Sequence, residues 1–511
     1  MQPTLPSHIE GYGPVRPFSG AYGERPDAEG PGRRRGGRGK GAKLLPDLRT
    51  AIERCELRSG CTVSFHHHLR NGDGVLNQVM DELARLGLRD LTVAASSIFP
   101  VHAPLVEHIR GGVVTKIVTG YMTGPVADAV AAGMLANPAM MQTHGGRARS
   151  IESGEVGIDA AFIAAPAADC CGNLNGVDGP SACGSFGYPV VDAQCARHVV
   201  AVTNNLVPYP ACPIAISQEH VDFIVRVGSI GDASQIVSGT TRPTGNPIGL
   251  QVAETAARVI DASGLLTDGF SFQTGAGGVS LAVASRLASH MAERGVRGSF
   301  GAGGITGMIV KMLEAGLFRS LLDVQCFDLE AVASFRRNSA HQMMSASMYA
   351  NPWTRGAVVD QLDCMILGAA EIDLDFNVNV STGTDGRIIG GSGGHSDTAA
   401  GAKLALVTTQ LTAGRFAKIV RRVSTVTTPG ETVDAVATEA GIAVNPRRDD
   451  LRERLAGAGL PVVPIEQLHE QACRLSGGVA AASAPRADER IVAVVQYRDG
   501  SVIDVIRRKP E

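Results

Sequence analysis

The sequence has few aromatic residues and no strong charge bias. Phe, Trp and Tyr make up 4% of its 511 residues, and the net charge is −3, with 47 Lys and Arg against 50 Asp and Glu. Aliphatic side chains must therefore build the core, and the 62 glycines indicate many tight turns. This combination favours an α/β protein. The balanced charge provides no overall field that would attract nucleic acid or a membrane.

Several binding and targeting signals are also missing. The ten cysteines include no Cys-x-x-Cys pair, which disfavours zinc and disulfide patterns and favours a reducing compartment. The sequence has no apolar run of about 18 residues and no charged-then-apolar leader. We therefore expect a soluble, cytoplasmic protein without a membrane partner. No Gly-Lys-Ser/Thr closes a glycine loop, so a nucleotide-phosphate loop is excluded.

The chain repeats itself, which bears on its domain organisation. A strand, glycine turn, helix and strand read over 63–91 recur over 270–299, and the spacing within 158–175 recurs within 362–379. We predict two tandem α/β domains with open parallel or mixed sheets, at 44–235 and 236–511, and a disordered basic arm over 1–43. Ligands of such sheets bind at the carboxyl ends of the strands, so the active site is expected between the domains.

Two neighbouring motifs indicate acyl transfer. Residues 371–379 place carboxylates and amides at a strand end, and 390–397 is a glycine loop with bare backbone N–H groups. Such N–H groups suit a developing oxyanion or a thioester carbonyl.

The longer motifs resemble the citrate lyase alpha subunit, a citrate:acetyl-carrier transferase of the CoA-transferase superfamily. The resemblance covers the chain from about residue 44 to its end, and the motifs that carry it are 64–67, 102–110, 144–147, 273–278, 371–373, 390–397, 443–446 and 492–504. It implies exchange of acetate for citrate on a thiol carrier, an acyl carrier (gamma) subunit with a CoA-like prosthetic group, a beta subunit that cleaves the citryl-thioester, and an oligomeric complex. Mg²⁺ bound to citrate is also compatible with it.

The mechanism has two candidate routes. Many CoA-transferases use a glutamate nucleophile, but the matching stretch here, 299–306, contains no carboxylate. We therefore expect direct exchange through a mixed anhydride, since positioning can contribute about 7–11 kcal/mol and one oxyanion donor about 2.7–4 kcal/mol. The alternative is a covalent glutamyl-CoA intermediate on Glu371.

The predicted site residues fall into three groups. The catalytic candidates are Glu371, Gly391, Gly393 and Gly394. The candidates for contact with the carrier arm are Gly275, Gly277, Gly278, Gly301, Gly303, Gly304, Asn377 and Asn379. The candidates for citrate are His67, Arg70, His144, Arg147, Arg242 and His395, because Arg and His suit carboxylates.

No metal site is expected, because alternate residues of the strand bearing His66, His67 and His68 point to opposite faces.

Two further interpretations of the function stay open at this stage. An acyl-CoA hydrolase would keep the same fold and use water as acceptor. A non-catalytic assembly subunit could use its basic arm to bind RNA, a partner that the composition disfavours.

Overall fold

The computed structural model describes residues 8–9, 13–14, 43–237, 243–275, 277–477 and 490–508. Contacts divide the chain into residues 1–42 and residues 43–511. In the first unit, the described residues form one antiparallel pair of strands, β1 (His8–Ile9) and β2 (Gly13–Pro14). Lys43, the last residue of the predicted disordered arm, is described and belongs to the second unit, while the residues of the arm other than Lys43 and these two strands lie outside the described ones.

The second unit contains two large sheets. The ten-stranded sheet has the order β28-β27-β7-β6-β5-β4-β8-β11-β13-β3 and is parallel except for β28. Its strands are β3 (Leu44–Leu45), β4 (Thr62–Phe65), β5 (Leu91–Ala95), β6 (Val114–Thr119), β7 (Ala139–Met141), β8 (Ala160–Ala165), β11 (His198–Thr203), β13 (Phe223–Arg226), β27 (Ile491–Gln496) and β28 (Val502–Arg507).

The eight-stranded sheet has the order β17-β16-β15-β14-β18-β21-β25-β26 and is parallel except for β26. Its strands are β14 (Ser271–Thr274), β15 (Gly298–Ile305), β16 (Phe318–Cys326), β17 (His341–Met343), β18 (Cys364–Gly368), β21 (Leu404–Thr408), β25 (Ala435–Thr438) and β26 (Gly441–Val444).

Smaller sheets accompany both large ones. One three-stranded sheet joins β9 (Ala167–Asp169), β10 (Leu174–Asn175) and β12 (Leu206–Val207), and the other joins β19 (Glu371–Asp373), β20 (Val378–Asn379) and β24 (Ile419–Val420). A two-stranded sheet joins β22 (Thr412–Ala413) and β23 (Phe416–Ala417).

Helices connect the parallel strands. They are α1 (Leu48–Arg54), α2 (Val75–Arg85), α3 (Leu105–Arg110), α4 (Pro125–Ala131), α5 (His144–Glu152), α6 (Pro189–Cys195), α7 (Pro247–Ala262), α8 (Gly278–Arg294), α9 (Gly307–Glu314), α10 (Leu329–Arg337), α11 (Ala346–Ala350), α12 (His395–Gly401), α13 (Asp449–Gly457) and α14 (Ile465–Leu475). In α2, the buried residues Val75, Val79 and Leu83 recur every fourth position, which places them on the one face that packs against the sheet.

The predicted α/β fold and internal repeat are confirmed by the strand orders. The series β7-β6-β5-β4-β8-β11-β13 matches β17-β16-β15-β14-β18-β21-β25 strand for strand, and each small sheet follows the corresponding strand, β8 or β18. One continuous core contains buried residues of both large sheets.

The C-terminal hairpin departs from a simple two-domain division. Strand β27 pairs in parallel with β7 of the first sheet, although residues 491–507 belong by sequence to the predicted second domain. A free edge at β7 accounts for this, because an unpaired edge exposes a row of backbone groups that another strand can satisfy. The boundary at 235/236 itself stays a prediction.

Candidate functional site

A cavity of about 200 Å³ lies where the two repeats meet, and we call it the central cavity. Its lining residues come from both repeats: His144, Tyr188, Gln273, Thr274, Gly275, Gly304, Val324, Phe327, Tyr349, Met365, Ile366, Leu367, Gly368, Ser392, Gly394 and His395. Several of them follow the carboxyl ends of parallel strands, where the sequence predicts the site.

The first repeat contributes aromatic and imidazole rings. His144 is the first residue of α5, whose N-cap Thr143 accepts a hydrogen bond from the Gly146 N–H. The His144 ring lies 4.6 Å from that of Tyr188, and Tyr188 lies 4.8 Å from His67. Burial lowers the pKa of His144 to about 3, so this imidazole is neutral near pH 7 and acts by hydrogen bonding rather than by charge.

His67 therefore lies behind the cavity wall. Its Nδ1 is 2.6 Å from the Ser96 hydroxyl. The neighbouring His66 accepts the Ala164 N–H at Nε2, which leaves its proton at Nδ1 for donation to Nδ1 of His68. The two histidines thus form a buried hydrogen-bonded pair.

Arg70 is a citrate candidate whose guanidinium lies beside one of the lining rings. Its guanidinium lies 4.6 Å from the ring centroid of Phe327, which lines the cavity, and 5.7 Å from that of Phe99. Arg70 has a φ of 51°, a conformation that is uncommon outside glycine. A cation stacked on an aromatic face keeps its charge while its stem is buried.

The second repeat contributes a side-chain amide and a phenol. Gln273 ends in an amide that donates from Nε2 to the Tyr349 hydroxyl at 2.7 Å, while its buried Oε1 accepts no hydrogen bond from the described residues. Tyr349 lies in α11, and burial raises the pKa of its hydroxyl above the ordinary value of 10. Tyr349 therefore keeps its proton near pH 7 and can donate it into the cavity.

The glycine candidates separate into lining and supporting positions. Gly275, Gly304 and Gly394 line the cavity. At Gly394, the N-cap of α12, a Cβ would overlap the Tyr349 hydroxyl. The N–H groups of Gly275 and Gly393 already donate, to Ile366 and Gly120 respectively.

The remaining glycines position backbone. Gly391 is where a Cβ would lie 2.6 Å from the Gly120 carbonyl oxygen, and Gly277 and Gly278 begin α8. Residues 301–304, whose three glycines favour a turn, instead belong to strand β15, with a register shift between Gly303 and Gly304. Strand pairing overrode the turn propensity there, because β14 and β16 flank β15 on both sides.

The segment 390–397 of the second repeat makes hydrogen bonds to residues of the first repeat. His395 is held at both ring nitrogens, donating from Nε2 to the Gly368 carbonyl and pairing at Nδ1 with the Thr428 hydroxyl. Burial lowers the pKa of His395 to about 4. Asp397 accepts from the Thr143 hydroxyl at 2.8 Å and the Gly145 N–H at 2.9 Å, and burial raises its pKa to about 6.

Glu371 lies outside the lining of the central cavity. Its carboxylate is buried and accepts three hydrogen bonds, from Asn379 Nδ2 at 2.9 Å, the Ser424 N–H at 2.9 Å and the Ser424 hydroxyl at 3.2 Å. The Asn379 side chain in turn accepts from the N–H groups of Ser381 and Thr382. This network supports the small sheet of β19 and β20.

The other predicted amides and arginines have comparable structural contacts. Asn377 donates to Asp373, as its repeat counterpart Asn173 donates to Asp169. Arg147 is buried and makes two 2.9 Å hydrogen bonds to Asp192, and it is not among the lining residues of the cavity. Arg242 lies outside the described residues.

Sequence reasoning missed several lining residues. Tyr188 and Tyr349 stand in segments without a recognised motif, and Ser392 was taken only as part of the glycine loop. Gln273 carried a usable signal, because it ends a predicted strand directly before glycines 275, 277 and 278. Of the helices within the described ranges, none is long and apolar enough to cross a membrane.

Comparison with known proteins places this geometry in a family. The family profile described as "Citrate lyase, alpha subunit" matches residues 41–509. The citrate lyase alpha chain of Escherichia coli (strain K12) is 49% identical over 472 residues, covering 92% of this chain and 91% of the relative. That of Haemophilus influenzae is 48% identical over 470 residues, covering 91% and 93%.

Solved structures agree with the sequence comparison. The alpha subunit of citrate lyase from Streptococcus mutans, in complex with citrate, has a TM-score of 0.90 and 47% identity, covering 93% of this chain and 92% of that one. A Pseudomonas malonate decarboxylase hetero-tetramer has a TM-score of 0.64 at 19% identity, covering 87% and 90%, which shows a shared fold.

Proposed function

This chain belongs to the citrate lyase alpha subunit family, the citrate CoA-transferases, and we propose that it exchanges acetate for citrate on the carrier thiol directly, without a covalent enzyme intermediate. The exchange takes place in the central cavity. A citrate carboxylate oxygen attacks the acetyl-thioester carbon, the thiolate leaves, and a mixed citric-acetic anhydride forms. The thiolate then attacks the citryl carbonyl, and acetate leaves with the bridging oxygen that came from citrate.

One observation carries this proposal. None of the described residues that line the central cavity is Asp or Glu, while the carboxylate of Glu371 is already bound by Asn379 and Ser424. A nucleophile must reach the reacting carbon, and the lining offers no carboxylate to do so. The same lining offers no carboxylate to hold Mg²⁺, so no step passes through that ion.

The cavity can stabilise the negative charge that forms on the thioester oxygen. The Tyr349 hydroxyl accepts a hydrogen bond from the Gln273 amide. Its own proton is not donated to any of the described residues. The Gly394 N–H at the start of α12 is a second donor for the same space. Preorganised donors of this kind supply about 2.7–4 kcal/mol each.

Citrate recognition is assigned to Arg70 and His144. Arg70 supplies the positive charge beside Phe327, and the neutral His144 imidazole supplies a hydrogen bond to a citrate hydroxyl or carboxylate group. His395 forms part of the cavity wall, because both of its ring nitrogens are already hydrogen-bonded. The Streptococcus mutans relative was crystallised in complex with citrate, which supports this assignment of substrate.

The partners follow from the reaction. The thioester is carried by an acyl carrier subunit with a CoA-like prosthetic group, and a beta subunit cleaves the citryl-thioester within the citrate lyase complex. The chain itself performs the transfer. A hydrolase that uses water as acceptor is the competing function within the same fold.

An oxygen-labelling experiment tests the proposal. The purified full chain, in excess over acetyl-CoA, is mixed with acetyl-CoA and with citrate labelled with ¹⁸O in its carboxylates. Mass spectrometry then follows the acetate and the citryl-thioester through one turnover. Direct exchange transfers one ¹⁸O from citrate into acetate. A glutamyl route would give unlabelled acetate in that turnover and an enzyme-thioester mass. Acetate released without citrate, labelled from H₂¹⁸O, would identify a hydrolase.

A further inference from the structure

A buried cluster of metal-binding side chains lies outside the lining of the central cavity. Asp323 and Cys326, near the end of β16, meet His341, the first residue of β17. All three side chains are buried, and one donor atom from each lies within 4.8 Å of the others. We call these three residues the Asp-Cys-His cluster.

Their spacing is close to that of ligands around one ion. Cys326 Sγ and His341 Nε2 each lie 3.0 Å from the same carboxylate oxygen, Oδ2 of Asp323. Zinc binds sulfur at about 2.3 Å and nitrogen or oxygen at about 2.0–2.2 Å, so its tetrahedral ligands are separated by roughly 3.3–3.7 Å. The two 3.0 Å separations would each have to widen by roughly 0.5 Å to reach that range.

Neighbouring groups orient two of the three ligands as they do in metal sites. The Gln325 N–H donates to the other carboxylate oxygen of Asp323 at 2.7 Å. The far nitrogen of the His341 ring, Nδ1, lies 3.1 Å from the Ser334 hydroxyl. An outer partner on the second nitrogen fixes the tautomer of a metal-bound imidazole.

We propose that the Asp-Cys-His cluster is a zinc site in which these three side chains supply three of the four tetrahedral ligands. A mixed sulfur, nitrogen and oxygen donor set matches a borderline-soft divalent ion better than Mg²⁺ or Ca²⁺, which prefer oxygen alone. Two anionic ligands, thiolate and carboxylate, neutralise the charge of the ion, so that the buried site carries no net charge. The prediction of no metal site considered only the strand bearing His66, His67 and His68, and the three residues of the cluster form no recognised sequence motif.

Zinc binding is balanced by proton movement. The ion replaces the Cys326 thiol proton, which is released to solvent. His341 binds the ion through Nε2, so the bound ring carries its proton at Nδ1, from which it donates to the Ser334 oxygen. One proton is thus released per ion, and zinc affinity increases with pH.

The ion would fix the wall of the central cavity without entering it. Val324 and Phe327, which directly follow Asp323 and Cys326 in the sequence, line the cavity. The Ser185 hydroxyl and the Gly187 N–H of the first repeat donate to the carbonyls of Asp323 and Val324. Zinc at this point would hold β16 and β17 together and so stabilise their contact with the segment of Ser185 and Gly187.

Metal content and affinity test the site directly. The full chain is purified with and without zinc in the medium, its metal content is measured by mass spectrometry of the elements, and apo protein is titrated with Zn²⁺ and Co²⁺. We expect one zinc per chain, a higher melting temperature with zinc, and a thiolate-to-cobalt charge-transfer band. Wild-type protein without stoichiometric zinc, or a cobalt complex without that band, would overturn the proposal.

Variants separate a metal site from a hydrogen-bonded cluster. Ser334→Ala keeps all three ligands and is expected to lower zinc affinity by about 10–100-fold, and Cys326→Ser to remove the charge-transfer band. The matched control is Cys364→Ser, at an equally buried thiol that is not part of the cluster, and it should bind zinc like the wild type. Equal zinc binding by all three variants would contradict the proposal.

Discussion

Replacing Glu371 with Gln distinguishes a structural carboxylate from a nucleophile. The Gln side chain has the same shape, and its amide can keep the three hydrogen bonds of the carboxylate. Its oxygen accepts from Asn379 Nδ2 and the Ser424 N–H, and its NH₂ donates to the Ser424 hydroxyl. The variant is therefore expected to fold and to retain acyl exchange.

The magnitude follows from the loss of charge in these bonds. A hydrogen bond to a charged group contributes about 1.5–3 kcal/mol, against about 0.5–1.5 kcal/mol for a neutral one. Since three bonds weaken and the buried charge is removed as well, we expect Glu371→Gln to lower the free energy of unfolding by about 1–3 kcal/mol. Loss of a nucleophile would instead reduce kcat by several orders of magnitude.

The assay combines exchange kinetics with stability. Citryl-thioester formation from acetyl-CoA and citrate gives kcat and KM, and urea unfolding gives the stability of the same preparation. Asp373→Asn is the matched control, because Asp373 lies two residues along β19 and also accepts from Asn377. A folded Glu371→Gln protein without exchange activity, beside an active Asp373→Asn protein, would refute our reasoning.

Three further predictions concern the cavity, an ion pair and pH. Tyr349→Phe removes the proposed oxyanion donor and is expected to lower kcat by about 10²–10³-fold with little change in KM. Arg147→Met leaves the buried Asp192 carboxylate unpaired and is expected to lower stability by about 3–5 kcal/mol, while the folded fraction keeps its KM for citrate. Burial lowers the pKa of His66 to about 4 from 6.5, so below pH 6.5 the unfolded state binds its proton more readily. The stability advantage of wild type over His66→Gln should therefore decrease by up to about 3 kcal/mol between pH 6.5 and 4, as measured by urea unfolding.

Each of these predictions has a control. Tyr121→Phe changes a phenol that does not line the cavity and should leave kcat unchanged. An Arg147→Met, Asp192→Leu double variant should recover stability, and a raised KM for citrate in it would contradict the structural role of Arg147. Asp397 changes stability with pH in the opposite direction to His66, because its raised pKa makes the folded protein less stable as pH rises from 3.8 to about 6. The test for His66 therefore compares the free energy of unfolding of wild type and His66→Gln at each pH, rather than the pH profile of the wild type alone.

The sequence was most informative where local pattern and repetition agree. Alternation of strand, glycine turn and helix over 63–91 and 270–299 predicted β4, α2, β5 and β14, α8, β15, which the structure confirms. Repetition also located the loops that meet at the central cavity. Both signals can be recognised in the sequence itself, because neither depends on which distant residues are in contact.

Partners distant in the sequence were beyond such reasoning. The carboxylate of Glu371 is bound by Ser424, 53 residues away, and the buried Arg147 by Asp192, 45 residues away. From composition alone, each of them resembles a site residue, because a buried ion pair and a substrate clamp use the same side chains. Tyr349, on a five-residue helix, has too short a periodic pattern to stand out.

The pairing of β27 with β7 has a consequence for synthesis on the ribosome. Gln142, directly after β7, hydrogen-bonds to Gln496 at the end of β27, and 354 residues separate the two. At about 5–20 residues per second, the edge of β7 would wait roughly 20–70 s for its neighbour to be translated. During that interval the nascent chain presents an open strand edge, which can pair with another chain until β27 covers it.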